Sequence, residues 1–367
     1  LRGTAQSFRL VTLPEAPVPS RLRGFSAPII LKTDLSHEEL SFLMSQDSDS
    51  FNRWEAGQQL ATDLLMGHVA DIQAGRKLEA APVLVEAMDR ILADDKLDKA
   101  LAAQALILPG SAILAAQAER IDPEAIVGAV KFLRKAVGAA LGERFAAVYE
   151  ANLDEGDYRI DAESMGRRAL KNLALGYLLS QEDAAGRALA MKQYREASNM
   201  TDSFAVLSMI ADQDCPEREE LIADFYERWR NDGLVLDKWF NAQAFSFMPG
   251  TLDVVKGLTE HEAFDIKNPN KVRALLGAFA HGNLLHFNAA DGSGYEFVAD
   301  RVIQLNGINP QVAARLAGAF NRWLKFDESR QGSIRTQLER IAGSEGLSNN
   351  VYEIVSKALA MAETVKS

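Results

Sequence analysis

The chain has one cysteine, Cys215, in 367 residues. No internal disulfide can form, and together with 9 methionines this usage fits a reducing compartment, expected to be the cytoplasm. Apolar runs of the roughly 18–20 residues needed to cross a bilayer are missing, so no membrane partner is expected. Basic charge is in deficit: 40 Lys and Arg stand against 51 Asp and Glu, for a net charge of −11. With no run of Lys or Arg either, a nucleic-acid surface is not expected. The opening Leu1-Arg2-Gly3-Thr4 has neither an initiator Met nor the apolar core of a signal peptide, which suggests a chain cut from a longer one.

Catalytic signatures are missing as well. A zinc peptidase helix needs two His four apart with a Glu between them. His37-Glu38 and His261-Glu262 give the first half, but no second His follows, and His281 and His286 stand five apart. Of the five histidines, His68 is the remaining one, and none joins a ligand set. No Cys-x-x-Cys, Walker loop or Gly-x-Ser-x-Gly occurs in a suitable context. Asp291-Gly-Ser-Gly-Tyr295 is a tight turn without the strand and Lys of a phosphate loop. Glu217, Glu219 and Glu220 read as a solvated helix face. Trp54, Trp229, Trp239 and Trp323 read as packing residues, and Cys215, just before Pro216, as a small loop or core residue.

What the chain has is helices. From Ser36-His-Glu-Glu39, a capping box, apolar residues recur at helical spacing to the end. Phe51 to Gly75 reads as one long helix and Pro82 to Leu92 as the next. A third runs over Leu97 to Leu108, and a fourth starts at Pro123 and runs through Leu133 on toward Ala151. Further helices follow at short intervals to Ala362. Asp161 opens one of them, and its Arg168 is expected to be structural, paired with a carboxylate on a neighbouring helix. Residues 1–34 differ: residues 6–13 and 25–33 mix β-branched and apolar residues around prolines and read as two strands. Two strands do not make a stable domain alone. They are expected to be the tail of a truncated β-domain, or else a ribbon laid on the helical body. Residues 35–367 are expected to form an all-α superhelical array of antiparallel helix pairs, armadillo- or HEAT-like.

Within that array, Asn268-Pro-Asn-Lys-Val-Arg-Ala-Leu-Leu-Gly-Ala-Phe279 aligns without a gap on Asn309-Pro-Gln-Val-Ala-Ala-Arg-Leu-Ala-Gly-Ala-Phe320, and the two Asn stand 41 residues apart. That period suits stacked helix pairs. Asn at the cap and Pro at the first helical position open a helix in each segment. Each helix N-terminus carries partial positive charge and is followed within two turns by an arginine, Arg273 or Arg315, which suits an anionic group. The offsets of these arginines differ by one residue, about 100° of rotation, so they are not equivalent positions. By pattern alone they read as the exposed arginines of a solenoid, and the body reads as a binding or scaffolding protein.

Several runs resemble a known family: Glu196-Ala-Ser-Asn-Met-Thr-Asp202, Asn231-Asp-Gly-Leu-Val-Leu-Asp-Lys-Trp-Phe240, the two Asn-Pro segments, Asp291 to Tyr295, and Pro17 to Pro28. In this order they are similar to the C-terminal region of the bacterial aminopeptidase N (alanyl aminopeptidase) family of zinc metallopeptidases. The resemblance implies that residues 1–34 are the terminal strands of a β-sandwich domain and its linker, and that the rest is a non-catalytic domain that caps the active site and lines the cavity through which peptides reach it. Zinc would sit in an upstream catalytic domain of the same polypeptide, because the His-Glu-x-x-His motif is not in this chain. The chain alone would then hold no cofactor and be inactive. By resemblance Gln311 meets the first side chain of the substrate, and Arg315 and Arg273 face the peptide cavity. The intact enzyme would be a cytoplasmic monomer acting on peptides. The alternative is an independent α-solenoid that binds a protein partner.

Overall fold

The computed structural model describes residues 7, 9, 11–13, 15–27, 29, 31–153 and 156–365, with side chains to 362. From residue 36 on the chain is helical, and side chains start most of the helices. In α1 (His37–Gln46), Ser36 Oγ accepts from the Glu39 amide and the Glu39 carboxylate accepts from the Ser36 amide, closing the capping box. Asp49, Asp98, Asp122, Asp161, Asp183, Asn199 and Asp232 cap α2 (Ser50–Gln73), α4 (Lys99–Ala105), α6 (Pro123–Ala140), α8 (Ala162–Leu179), α9 (Ala184–Glu196), α10 (Met200–Ile210) and α12 (Gly233–Ala244). Between them lie α3 (Pro82–Leu92), α5 (Ser111–Gln117), α7 (Gly142–Ala151) and α11 (Glu217–Trp229). Next come α13 (Thr251–Thr259), α14 (Pro269–Val272), α15 (Ala278–Gly282) and α16 (Leu284–Phe287). The last are α17 (Ser293–Asn306), α18 (Pro310–Ala317), α19 (Glu328–Ala342) and α20 (Asn349–Val365).

Neighbours in sequence pack as pairs, α1 on α2, α7 on α8, α9 on α10, α11 on α12, α17 on α18 and α19 on α20. This is the expected all-α, solenoid-like array. Helix α6 is its hub: Ile126, Ala129, Leu133 and Val137 are fully buried, and the helix touches α2, α5, α8 and α16. Gly138 lets α6 cross the end of α8 at backbone distance, since a Cβ there would lie 2.6 Å from the Tyr177 carbonyl.

The contact of α6 with α16 belongs to a seam between distant parts of the chain. The Ile121 amide donates to the Lys325 carbonyl at 2.7 Å. Lys325 Nζ donates to the carbonyls of Ala116 and Ala118 at 3.0 and 2.9 Å. Arg330 pairs with Glu124 and Asp327 and donates through Nε to the Asn288 carbonyl. Some two hundred residues of chain thus start and end at one place, and the array closes on itself.

Several sequence expectations change. The helix expected over 97–108 is shorter, and the one expected to run from Pro123 toward Ala151 breaks at Leu141, whose ψ of 20° leaves the helical region. Helices α5 and α16 were not expected. The two strands expected over residues 6–13 and 25–33 fall partly outside the described residues. Those described there form no strand, having no partner strand to supply hydrogen bonds, and Arg23–Phe25 make a single 3₁₀ turn. Arg168 is 3% exposed, which fits the structural role expected of it; the contacts described are a hydrogen bond donated to the Arg159 carbonyl and the face of the Tyr158 ring, neither of them the carboxylate expected on a neighbouring helix. Trp239 and Trp323 are buried with their indole N–H groups on the carbonyls of Ile222 and Ala358. Asp291 forms a turn by accepting from the amide and hydroxyl of Ser293.

Candidate peptide-facing site

The two Asn-Pro segments both start as expected. Asn268 Oδ1 accepts from the Asn270 amide at 3.0 Å, and Asn309 Oδ1 from the Val312 amide at 3.2 Å. They then diverge. After α14 the first segment widens into a π turn over Arg273–Gly277, with the Ala278 amide reaching the Arg273 carbonyl. After α18 the second tightens into a 3₁₀ helix over Gly318–Lys325.

Gln311 and Arg315 stand four apart on α18 and share one exposed face. Neither side chain has a hydrogen-bond or ion-pair partner among the described residues. Arg273 is also exposed, with one weak contact to Asn270 Oδ1 at 3.3 Å. The structure brings Gln311 and Arg315 together, but no hydrogen bond or ion pair joins Arg273 to them. What ties the two segments is His281, whose Nε2 lies 3.1 Å from the Arg315 carbonyl. A carbonyl only accepts, so Nε2 carries the proton and, in the neutral ring, Nδ1 is left as an acceptor. Packing around the ring pushes the His281 pKa below its ordinary value, partly offset by that hydrogen bond.

Beyond α18, the 3₁₀ coil borders a cavity of about 350 Å³ at the seam, which Gly318, Ala319, Asn321 and Arg322 line and Gln311 and Arg315 do not. It is lined by His281 and Asn283 of the first segment, by Asn321 and Arg322 of the second, and by Ile121 and Phe326. Arg322 was not singled out in the sequence. Its signal was its spacing, seven residues beyond Arg315 on the same continuous coil. Three larger cavities have volumes of about 530, 700 and 390 Å³. Lys135 pairs with Glu182 in the first, where Lys131 lies over the Phe247 ring; Arg330 pairs with Asp327 and Glu124 in the second, and Arg144 of the third pairs with Asp89.

No three or more His, Cys, Asp and Glu among the described residues are placed to hold a metal ion. The residues here therefore do not fit a zinc site. Cys215 is half-buried, and burial followed by its hydrogen bond to Glu217 pushes the thiol pKa up, away from nucleophilic use. No helix among the described residues is long and apolar enough to cross a membrane.

Comparison with known proteins matches these features to a family. A family described as a domain of unknown function with ARM repeats (DUF3458_C) matches residues 37–360. Aminopeptidase N of Escherichia coli is 39% identical over 97% of this chain and 41% of its own length. Aminopeptidase N of Caulobacter vibrioides is 37% identical over 96% and 41%. A crystal structure of Legionella pneumophila aminopeptidase A in complex with aspartic acid superposes with a TM-score of 0.85 at 31% identity, covering 95% of this chain and 41% of that one. The chain spans about two fifths of the length of these relatives. It belongs to the ARM-repeat family that this domain defines, and it corresponds to the C-terminal helical region of the aminopeptidase N proteins.

Proposed function

We propose that this chain is the helical, non-catalytic part of a longer zinc aminopeptidase that removes N-terminal residues from peptides. Its partner is the upstream catalytic domain of the same polypeptide, whose active site it caps and whose peptide cavity it lines. Residues 1–34 are the end of the β-sandwich domain that precedes it. Zinc belongs to the catalytic domain. Gln311 meets the first side chain of the substrate. Arg315 and Arg273 face the cavity and give it positive charge. The intact enzyme is a cytoplasmic monomer.

One observation carries this reading. Similarity to aminopeptidases extends over 97% of the chain, and within it Gln311 and Arg315 stand exposed on one helix face with no hydrogen-bond or ion-pair partner among the described residues. A polar pair left unengaged on an ordered helix is available to something outside that domain. The test is the full gene product. Gln311→Ala should change the relative kcat/KM among alanyl, leucyl and arginyl anilides several-fold, with no loss of thermal stability. Unchanged ratios would remove Gln311 from the first-residue pocket. A full gene product without aminopeptidase activity would remove the reading itself.

A further inference from the structure

The cavity at the seam is chemically one-sided. Its floor is apolar: Ala115, Ile121, Phe287 and Phe326 are all buried. The amides in its wall are already engaged. Asn283 donates to the carbonyls of Ala244 and Ser246 and accepts from the His286 amide. Asn288 donates to the Leu284 carbonyl and accepts from the Tyr295 hydroxyl. Three groups remain unengaged. The Arg322 guanidinium and the Asn321 amide have no hydrogen-bond or ion-pair partner among the described residues, and His281 Nδ1 is left over from the Arg315 contact. No carboxylate lines this cavity, so nothing in it competes for the cation.

A forked cation over an apolar floor is complementary to a carboxylate carried on an apolar group. Arg can hold such a carboxylate through two parallel hydrogen bonds. The coil from Gln311 to Arg322 sets the reach. Seven α-helical steps and four 3₁₀ steps separate them by roughly 18 Å, or about five residues of extended peptide. On the helical wheel these steps bring Arg315 and Asn321 to within about 40° of Gln311 and turn Arg322 about 100° from it.

We propose that this cavity receives the C-terminal residue of a bound peptide, with the carboxylate on Arg322 and the side chain against Ile121, Phe287 and Phe326. The inference rests on the reading above, in which Gln311 meets the peptide's first residue. Gln311 and Arg322 then mark the two ends of a track that favours free-acid peptides of about five residues.

The experiment uses the full gene product and peptides of two to eight residues ending in leucine, each as the free acid and the C-terminal amide. Steady-state kinetics should give a KM lower for the acid by about tenfold or more near five residues, the scale of a shielded charge-assisted contact. The preference should be small for dipeptides, which cannot span the track. Arg322→Ala should raise KM for the acid to that of the amide with kcat little changed, and Arg322→Lys should recover part of the difference. An acid preference that survives Arg322→Ala, or that is as large for dipeptides, would overturn the proposal. Direct titration with an N-acetylated pentapeptide, which no aminopeptidase can cleave, separates this outcome from failure of the functional reading. Tighter binding of its acid than of its amide, lost in Arg322→Ala, supports the cavity even in a protein without activity. Equal binding of both, or N-acetyl-leucine binding as tightly as the pentapeptide, would exclude a peptide C-terminus there.

Discussion

Residues 268–282 and 309–325 start with the same cap, the same proline and the same spacing of glycine and phenylalanine, yet one coil loosens and the other tightens. Their anchors differ. In the first, Lys271 is 7% exposed and donates to the Gly233 carbonyl at 2.6 Å and to Asp237 at 2.8 Å, which fixes the segment to α12 by charge. In the second, the aligned Val312 is a half-buried apolar residue packed on the core. The next positions then exchange roles. Five residues after the Asn, the first segment exposes Arg273 where the second has Ala314. Six residues after it, the first buries Ala274 where the second exposes Arg315. A repeat in sequence therefore preserves how a helix starts without preserving which way its charges point. Neighbouring helices set the second property.

The comparison is most easily broken at its anchors. Lys271→Ala leaves Asp237 and a carbonyl without their donor and should cost about 1.5–3 kcal/mol, the range for hydrogen bonds to charged groups. Val312→Ala should cost about 1 kcal/mol as a partial truncation at a half-buried site. Urea midpoints of both variants at unchanged slope read the difference, and equal losses would mean that the charged anchor adds nothing. The shared feature comes next. Asn268→Ala and Asn309→Ala should each cost about 1 kcal/mol, and the Gly variants only a few tenths. Unequal losses would show that the π or 3₁₀ coil beyond the cap changes what the cap contributes.

The smallest effect lies at His281, the residue that joins the two segments. Its folded pKa is depressed, so the unfolded chain binds the proton more readily and stability rises with pH across this titration. The contribution should be complete above the ordinary histidine pKa of about 6.5 and should fall as pH drops below it. His281→Gln should lose less stability than the parent between pH 7 and 5. Parallel pH profiles of the two proteins would remove His281 as a titrating tie.

How far the chain reveals itself before folding follows from the range of each interaction. Caps act within three residues, and the Ser36, Asp122, Asp161, Asn268 and Asn309 starts were all legible. The break at Leu141 was not, because the apolar period continues across it. Helix α5 was missed because Pro109-Gly110 reads as a stop and Ser111–Gln117 is short. The strands expected near the N-terminus were read from composition, which cannot say whether a partner strand is present. At the site, Gln311 and Arg315 came from family resemblance and their shared face from spacing. Arg322 had only its seven-residue spacing from Arg315 as a signal, and the cavity it lines is assembled from residues near 115, 283 and 322, which no local pattern brings together.

The seam changes what kind of object the array is. In a line of stacked units, each unit answers only to its two neighbours, and the ends can fray without consequence for the middle. Here Ile121 and Lys325 touch, so the units between them form a circuit in which every one contributes to whether the two ends still meet. A small change in pitch anywhere from α6 to α18 accumulates around the circuit and arrives at the seam. The cavity at that seam is therefore the place where the geometry of the whole ring is summed.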